Sequence, residues 1–285
     1  MAKDNPTSLN RRSFLKLGGF GLLAVMGGMA SGAYFENEVD TIVVEHIPLP
    51  VAGLPPALEG FRIVQISDIH LGPITSIDMV RQAVQMINQL SPDLVVLTGD
   101  YIETDIEYVY ELAPVLAQLN ARYGIYSILG NHERWADFSP VRSALARERL
   151  PLLVNEGVLI AVGNARLYLA GLDDGWSGVP DPKTAMQNCP ADTPAVVLMH
   201  EPDFAPQIAT DSRVCLQLSG HGHGGQVRLP FTGPLYVPRL ARVYPMGLYK
   251  VRDMWLYTNR GLGTVVFPLR INCAPEITEI SLYRM

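Results

Sequence analysis

Apolar runs of strand length recur along the chain, and each run ends abruptly in a polar residue. They cover residues 61–67, 94–98, 125–129, 195–199 and 214–218. Near-continuous aliphatic and β-branched residues are typical of strands that are buried on both faces of a sheet. The pattern therefore predicts five buried strands.

Helical patterns lie between these runs. Residues 76–90 place apolar side chains at helical spacing, namely Ile77, Val80, Val84, Ile87 and Leu90. Residues 106–119 and 140–148 show the same spacing less regularly. Because strands alternate with helices, we expect βαβ units and a largely parallel sheet.

The remaining segments predict further strands. Residues 41–47 alternate as one strand, residues 152–172 contain short strands with turns, and residues 277–282 form a closing strand. Residues 247–257 predict a hairpin around Arg252-Asp253. Taken together, the two halves predict an α/β fold, a four-layer α/β/β/α sandwich of two mixed sheets.

Composition describes a globular protein with a sizeable core. Of 285 residues, 48% are apolar and 18% are charged. The net charge is −6, and the chain after residue 33 is more acidic still, at −9. Such a balance gives no general attraction for nucleic acid or for an anionic membrane face. Any affinity for phosphate must therefore be local.

The N-terminal residues predict a targeting signal rather than part of the folded domain. Asn10-Arg11-Arg12-Ser13-Phe14-Leu15-Lys16 resembles the twin-arginine export signal, and an uncharged glycine-rich run follows from Leu17 to Phe35. We expect residues 1–35 to engage the twin-arginine export machinery and to send the protein to the periplasm or cell envelope. Ser31-Gly32-Ala33 offers a cleavage site, whereas an uncleaved membrane anchor is the alternative.

Residues 36–60 are expected to form an N-terminal strand and a linker, with the main domain at 61–285. The three cysteines, Cys189, Cys215 and Cys273, have no metal-like spacing. A disulfide between Cys189 and Cys273 is one option outside the cytoplasm, and a monomer is expected.

Ligand-type side chains gather at the ends of the buried runs. Five of the six histidines are among them, and the full set is Asp68, His70, Asp100, Asn131, His132, His200, His221 and His223. The carboxyl ends of parallel strands are where ligands bind in such sheets. The sequence therefore predicts that these side chains share one pocket.

The donor types indicate a metal centre. Carboxylate, imidazole and amide groups without thiolate favour manganese, iron or zinc. Seven ligand groups are too many for one catalytic ion that keeps open positions. They suit two divalent ions about 3.5–4 Å apart that share a bridging carboxylate.

The same residues resemble the calcineurin-like metallophosphoesterases, whose motifs recur in order over residues 68–223. The resemblance implies two ligand sets, the first being Asp68, His70 and His223 and the second Asn131, His200 and His221. It implies that Asp100 bridges the ions, that Asn131 and His132 contact the phosphate, and that His132 protonates the leaving oxygen while metal-bridged hydroxide attacks. The alternative for His132 is that it contacts a metal ligand rather than the phosphate. Glu133 either orients His132 or is solvated.

Three later segments narrow the resemblance to the exported YaeI/YkuE-type phosphodiesterases. They are residues 221–230, 257–263 and 270–276. This implies a phosphodiesterase of the membrane or cell envelope. A related branch cleaves UDP-diacylglucosamine, so a lipid-linked substrate of that type is an option.

Several features bear on the substrate, and each has a structural alternative. The apolar, arginine-containing segment 228–246 either grips a lipid phosphate in peripheral membrane contact or packs as an ordinary loop. Residues 173–183, with Trp176, are a candidate pocket rim, and Arg260 either contacts substrate or pairs with an acid inside the fold. A phosphomonoesterase and a non-enzymatic envelope metal-binding protein remain the rival functions.

Overall fold

Two mixed β-sheets form the centre of the computed structural model, which describes residues 37–135 and 137–285. The strands are β1 Val43–Val51, β2 Arg62–Ile66, β3 Leu94–Leu97, β4 Ile125–Ser127, β5 Glu156–Val162, β6 Ala165–Gly171, β7 Ala195–Leu198, β8 Val214–Ser219, β9 Arg228–Leu229, β10 Gly233–Pro234, β11 Gly247–Val251, β12 Met254–Thr258 and β13 Glu276–Arg284. The first sheet has the order β1-β13-β2-β3-β4, and the second has the order β11-β12-β8-β7-β6-β5. The hairpin β9–β10 stands apart from both.

Helices cover the outer faces of both sheets. They are α1 Ile77–Leu90, α2 Tyr108–Leu116, α3 Asn131–Trp135, α4 Ser139–Arg147, α5 Pro182–Met186 and α6 Ala205–Ile208. Short 3-10 turns occur at Pro56–Leu58, Pro202–Phe204 and His223–Gly225. The first predicted helix is confirmed closely, and the other two are shorter than or shifted from the predicted ranges.

Alternate residues of each central strand enter different cores. In β3, Val95 and Leu97 pack against the helices of the first sheet, whereas Leu94 and Val96 pack against the second sheet. The second sheet repeats this arrangement, with Val197 of β7 facing its own helices. Side chains of a strand point to opposite faces in turn, so the predicted four layers, helix–sheet–sheet–helix, are confirmed.

Helix α1 begins directly after Ser76, whose side chain caps the first turn. The side chain of Ser76 accepts a hydrogen bond from the backbone N–H of Met79, at 3.3 Å. This capping satisfies a donor that the first turn leaves free. Val80, Val84 and Ile87 then bury one face of the helix against the first sheet.

Strand β1 is part of the first sheet over its whole length. It pairs in parallel with β13 from Val43 opposite Glu276 to Val51 opposite Arg284. The predicted linker that follows contains a 3-10 turn, Pro56–Leu58, whose Leu58 is fully buried. Residues 37–285 form one compact unit.

Three further predictions concern a hairpin, a disulfide and the N-terminal signal. The hairpin around Arg252-Asp253 is confirmed as β11–β12. Cys189, Cys215 and Cys273 are all free thiols, so the Cys189–Cys273 disulfide does not form. The export signal or anchor at 1–35 lies outside the described residues. Among the residues that are described, no helix has the length and apolar character needed to span a membrane.

Strand direction brings the carboxyl ends of the parallel strands of both sheets to one edge between the sheets. Strands β2, β3 and β4 run parallel in the first sheet, as do β6, β7, β8 and β12 in the second. Gln65 of β2 joins the two sheets directly below this edge, since its Nε2 donates to the carbonyl of Ser219 at 2.9 Å. The loops after β2 and β8 are thereby held against each other.

Candidate metal centre

The ends of five strands deliver seven side chains to this edge. Asp68 and His70 follow β2, Asp100 follows β3, and Asn131 follows β4. From the second sheet, His200 follows β7, while His221 and His223 follow β8. All seven are buried, with exposed fractions of 6% or less. Charged and polar groups avoid such burial unless they are paired or bind a ligand.

One cluster joins the two sheets through Asp68. Ligand atoms of Asp68, His70 and His223 all lie within 4.8 Å of one another. The Oδ1 atom of Asp68 is 3.3 Å from Nε2 of His223 and 3.9 Å from Nε2 of His70. The two imidazole Nε2 atoms are themselves only 3.1 Å apart.

A second cluster contains Asp100, His200 and His221, again with ligand atoms within 4.8 Å of one another. Asp100 connects it to the first cluster. Its Oδ2 atom is 3.2 Å from Nε2 of His200 and 3.5 Å from Nε2 of His70. One carboxylate oxygen thus faces both clusters, which is the position that a bridging ligand needs.

Backbone carbonyls fix which nitrogen each histidine leaves available. Because a carbonyl can only accept, Nδ1 of His200 donates to Thr98 at 2.6 Å, and Nε2 of His221 donates to Arg239 at 2.9 Å. Each ring therefore keeps its other nitrogen as a lone-pair donor. Hydrogen bonds of this kind orient imidazoles that bind metal ions.

Several buried polar atoms lack partners among the described residues. They include Nε2 of His200 and Oδ1 of Asn131. Leaving such atoms unsatisfied costs about 1–3 kcal/mol each. Divalent ions bound to nitrogen and oxygen donors would remove this cost, so the residues fit two metal ions.

The backbone of the site is strained in a consistent way. Five of its residues have positive φ angles between 46° and 65°, namely Asp68, His70, Asp100, His221 and His223. Residues other than glycine adopt this region rarely, although aspartate and histidine tolerate it better than most. Strain of this kind gathers at functional sites, where the surrounding structure enforces it.

Two glycines allow the carboxylates to approach the backbone. A Cβ atom at Gly220 would collide with Oδ2 of Asp68 and with Ser67, and one at Gly130 would collide with Oδ1 of Asp100. Neither position can hold a side chain without moving a predicted ligand. The glycines in the motifs are therefore needed for space.

Burial and charge set the ionisation of the centre. Burial alone raises the pKa of Asp100, but the charges of His200 and His132 outweigh it and hold that pKa well below its ordinary value. Burial and the charge of His200 lower the pKa of His221 to about 4. An ionised carboxylate and a neutral imidazole are the states in which these groups bind metal.

The electrostatics at His200 favour a cation beside Asp100. Burial lowers the pKa of His200, yet the negative charge of Asp100 outweighs it and raises the pKa well above its ordinary value. The position therefore attracts positive charge, which either a proton or a metal ion supplies.

His132 lies next to the clusters rather than within either predicted ligand set. One of its ring nitrogens lies within 4.8 Å of ligand atoms of His70 and Asp100. Nδ1 donates to the carbonyl of Glu103 at 2.6 Å, and the ring lies against Trp135 with centroids 4.5 Å apart. The imidazole is held on two sides, and Nε2 is left free.

Glu133 plays neither of the two roles that were predicted for it. It is fully buried and its carboxylate accepts hydrogen bonds from the backbone N–H groups of Asp100, Tyr101 and Gly130, at 2.8–3.0 Å. Burial, with the nearby charge of Asp100, raises the pKa of Glu133 to about 7. The residue fixes the loops after β3 and β4 relative to each other, and so positions Asp100.

Arg260 pairs with acids inside the fold, which is the second of the two roles predicted for it. Its Nη2 lies 2.6 Å from Oε1 of Glu45, and its Nε lies 2.6 Å from Oε2 of Glu276. The guanidinium is mostly buried between these carboxylates, which leaves the predicted contact with substrate without support.

Aromatic side chains line one side of the site. The rings of Trp135 and Trp176 meet edge to face at 5.8 Å, and Trp176 meets His221 at 5.6 Å. The guanidinium of Arg239 lies over Trp176 at 4.8 Å. Trp176 therefore lies at the predicted rim, whereas the places of Trp135 and Glu103 were not predicted from the sequence.

Comparison with known proteins identifies the family. A model described as calcineurin-like phosphoesterase matches residues 61–225. The metallophosphoesterase YkuE of Bacillus subtilis (strain 168) is 36% identical over 281 residues, which are 96% of this chain and 98% of the relative. Phosphodiesterase YaeI of Escherichia coli (strain K12) is 30% identical, with 78% of this chain and 82% of the relative covered.

Solved structures agree on the fold. The NAD nucleotidase of Haemophilus influenzae superposes with a TM-score of 0.51 at 17% identity, over 71% of this chain and 45% of that chain. A likeness at this identity concerns architecture alone. The family match and the two relatives go further: the chain belongs to the calcineurin-like phosphoesterase family.

Proposed function

We propose that the protein is a metal-dependent phosphodiesterase that acts on an envelope or lipid-linked phosphodiester. The observation that carries this proposal is the pair of buried clusters that face one oxygen of Asp100, with His132 beside them. Such a pair suits phosphoryl transfer, in which positioning and charge stabilisation supply most of the catalysis.

The two clusters supply most of the residues that would hold the ions, and Asn131 is added because its buried Oδ1 has no partner among the described residues. Asp68, His70 and His223 would hold one ion, and Asn131, His200 and His221 the other, with Asp100 between them. When bound, two divalent ions polarise phosphoryl oxygens and lower the pKa of water to near neutrality. The donor set supports manganese, zinc or iron.

His132 is proposed to move the proton that the leaving alcohol requires. Because Nδ1 is committed to the carbonyl of Glu103, only Nε2 can release or take up a proton in the site. Histidine is the side chain that most often serves as a general acid or base in such proton transfer. Trp135 and Glu103 position the ring, while Asn131 is proposed to contact the phosphate as well as an ion.

The preference for a diester is supported by a relative. YaeI carries the name phosphodiesterase at 30% identity over most of this chain. A lipid-linked diester, of which the UDP-diacylglucosamine type is one, agrees with the proposed export by the twin-arginine machinery to the periplasm or envelope. We propose that the protein acts there as a monomer, either released or anchored by residues 1–35.

A comparison of ester types tests the proposal. We expect the metal-loaded protein to hydrolyse bis-p-nitrophenyl phosphate at least about tenfold faster than p-nitrophenyl phosphate. Chelation should abolish both activities, and Mn²⁺ or Zn²⁺ should restore them. Faster turnover of the monoester would indicate a phosphomonoesterase. A metal-loaded protein that is inert toward both esters would indicate a binding protein.

A further inference from the structure

Exposed apolar side chains are concentrated in two loops. Among the described residues, 14 large apolar side chains are exposed, and six of them lie within 231–236 and 266–269. We call these six residues the apolar lip: Phe231, Leu235, Tyr236, Val266, Phe267 and Leu269. Phe231, at the tip of the β9–β10 hairpin, is fully exposed. Contiguous apolar surface of this kind marks an interaction site.

The two loops form one surface because their bases are joined. Nε2 of Gln226 donates to the carbonyls of Val265 and Phe267, each at 3.1 Å. Val227 bridges to Ile271 and also accepts a hydrogen bond from the backbone N–H of Leu235, at 2.9 Å. The hairpin and the second loop are therefore fixed to each other.

A buried arginine anchors the second loop. Arg270 is fully buried, and its guanidinium donates to the carbonyls of Cys273 and Gly261 at 2.9 and 3.1 Å and to that of Gly263 at 2.5 Å. A guanidinium has five N–H donors, so this one side chain binds several carbonyls of the loop at once. The exposed tip of Val266 and Phe267 thus projects from a fixed base.

The apolar lip borders the metal centre. The backbone N–H of Gly263 donates to the carbonyl of Asp68 at 2.8 Å, so the second loop starts at a predicted ligand. The amide of Val266 faces the carboxylate of Glu103, which lies 3.2 Å from Nδ1 of His70. On the other side, the β9–β10 hairpin follows His223 by five residues.

The chain segments that form this region carry no acidic residue of their own, although the carboxylates of Glu38, Glu103 and Asp203 reach them from other segments. No acidic residue occurs between Asp211 and Asp253, or between Asp253 and Glu276, although the protein as a whole carries −6. Arg228, Arg239 and Arg242 lie in the same stretch, and the last two are exposed. Exposed aromatic and aliphatic tips on a segment that also carries two exposed arginines match the interface of a bilayer that contains anionic lipids.

We propose that the apolar lip docks on the surface of an anionic lipid bilayer and so brings a lipid-linked phosphodiester to the metal centre. The delivery step rests on the proposed function, whereas docking itself does not. Phe231, Leu235 and Phe267 would enter the boundary between head groups and acyl chains, and the arginines would face lipid phosphates. Residues 228–246, which were predicted to be either a lipid-binding loop or a packed loop, would then contribute to a docking surface.

Fluorescence quenching by brominated lipids tests where the full chain meets the bilayer. The probe is vesicles of phosphatidylglycerol and phosphatidylcholine with bromine on the acyl chains. We expect the tryptophan of a Phe231→Trp variant to lose about half or more of its fluorescence on these vesicles, measured as the difference from the parent chain. Val179→Trp is the matched control, since Val179 is 75% exposed but lies outside the lip; it should lose little.

Two results would overturn the inference. One is quenching at position 231 that does not exceed quenching at position 179, and the other is a chain that does not associate with the vesicles. Equal quenching on pure phosphatidylcholine vesicles would contradict the part assigned to the arginines. The measurement needs neither metal nor turnover, so its failure is distinct from failure of the soluble diester assay.

Discussion

Replacing Asp100 by asparagine is expected to lower turnover of an aryl phosphodiester by about a thousandfold or more. Oδ2 of Asp100 lies 3.5 Å from His70 in one cluster and 3.2 Å from His200 in the other. An amide is neutral, and its NH₂ group would point a donor at atoms that should bind cations. Turnover and the metal content of the purified variant are measured together, and both should fall.

Asp93→Asn is the matched control for this variant. Asp93 directly precedes β3, at the opposite end of the strand from Asp100, where its carboxylate accepts from the backbone N–H of Arg62 at 3.0 Å. We expect its turnover to stay within about a factor of two of the parent. Undiminished turnover of Asp100→Asn with a full complement of metal would contradict the bridging role.

Replacing His132 by glutamine is expected to lower kcat by about 10²–10⁴ while both ions are retained. His132 belongs to neither predicted ligand set, and its Nδ1 is committed to the carbonyl of Glu103. If Nε2 protonates the leaving oxygen, the loss should be larger for an alkyl diester, whose alkoxide needs a proton, than for an aryl diester. Turnover of both ester types, with metal analysis, measures this difference.

His46→Gln provides the control, because His46 lies on β1 and is the one histidine outside the predicted pocket. It should leave both rates unchanged. An equal loss for alkyl and aryl esters in His132→Gln would show that His132 positions the substrate or a ligand without donating a proton.

Strand positions and site composition could be predicted because both are local in the sequence. Residues 94–97 are all apolar because β3 is buried on both faces, by helices on one side and by the second sheet on the other. A run that ends in a histidine or aspartate identifies the ligand edge directly. The exact strand ends differ by one or two residues, because hydrogen bonding rather than hydrophobicity decides them.

The groups that position the ligands could not be predicted in this way. Glu103 reaches the site from the loop after β3 and Trp135 from the end of helix α3. Their positions depend on the whole fold, and nothing in their local sequence marks them. Glu133 was interpreted from its place beside His132. Its real partners are the backbone amides of Asp100, Tyr101 and Gly130, and the sequence carries no record of a backbone contact.

Pairing between strands that are far apart in the chain could not be predicted either. Strand β1 joins the sheet through β13, more than 230 residues away, so its partner could not be predicted from the local sequence. The same packing brings Glu45 of β1 to Arg260. The pairing of β1 with β13 could not be predicted, and β1 supplies the acid that pairs with Arg260.

The location of bound metal tests the central claim most directly. Anomalous diffraction from crystals grown with Mn²⁺ should show two peaks per chain, one touching Asp68, His70 and His223 and the other touching His200 and His221. Asp100 should contact both. A single peak, or peaks elsewhere in the protein, would contradict a dinuclear centre at this edge.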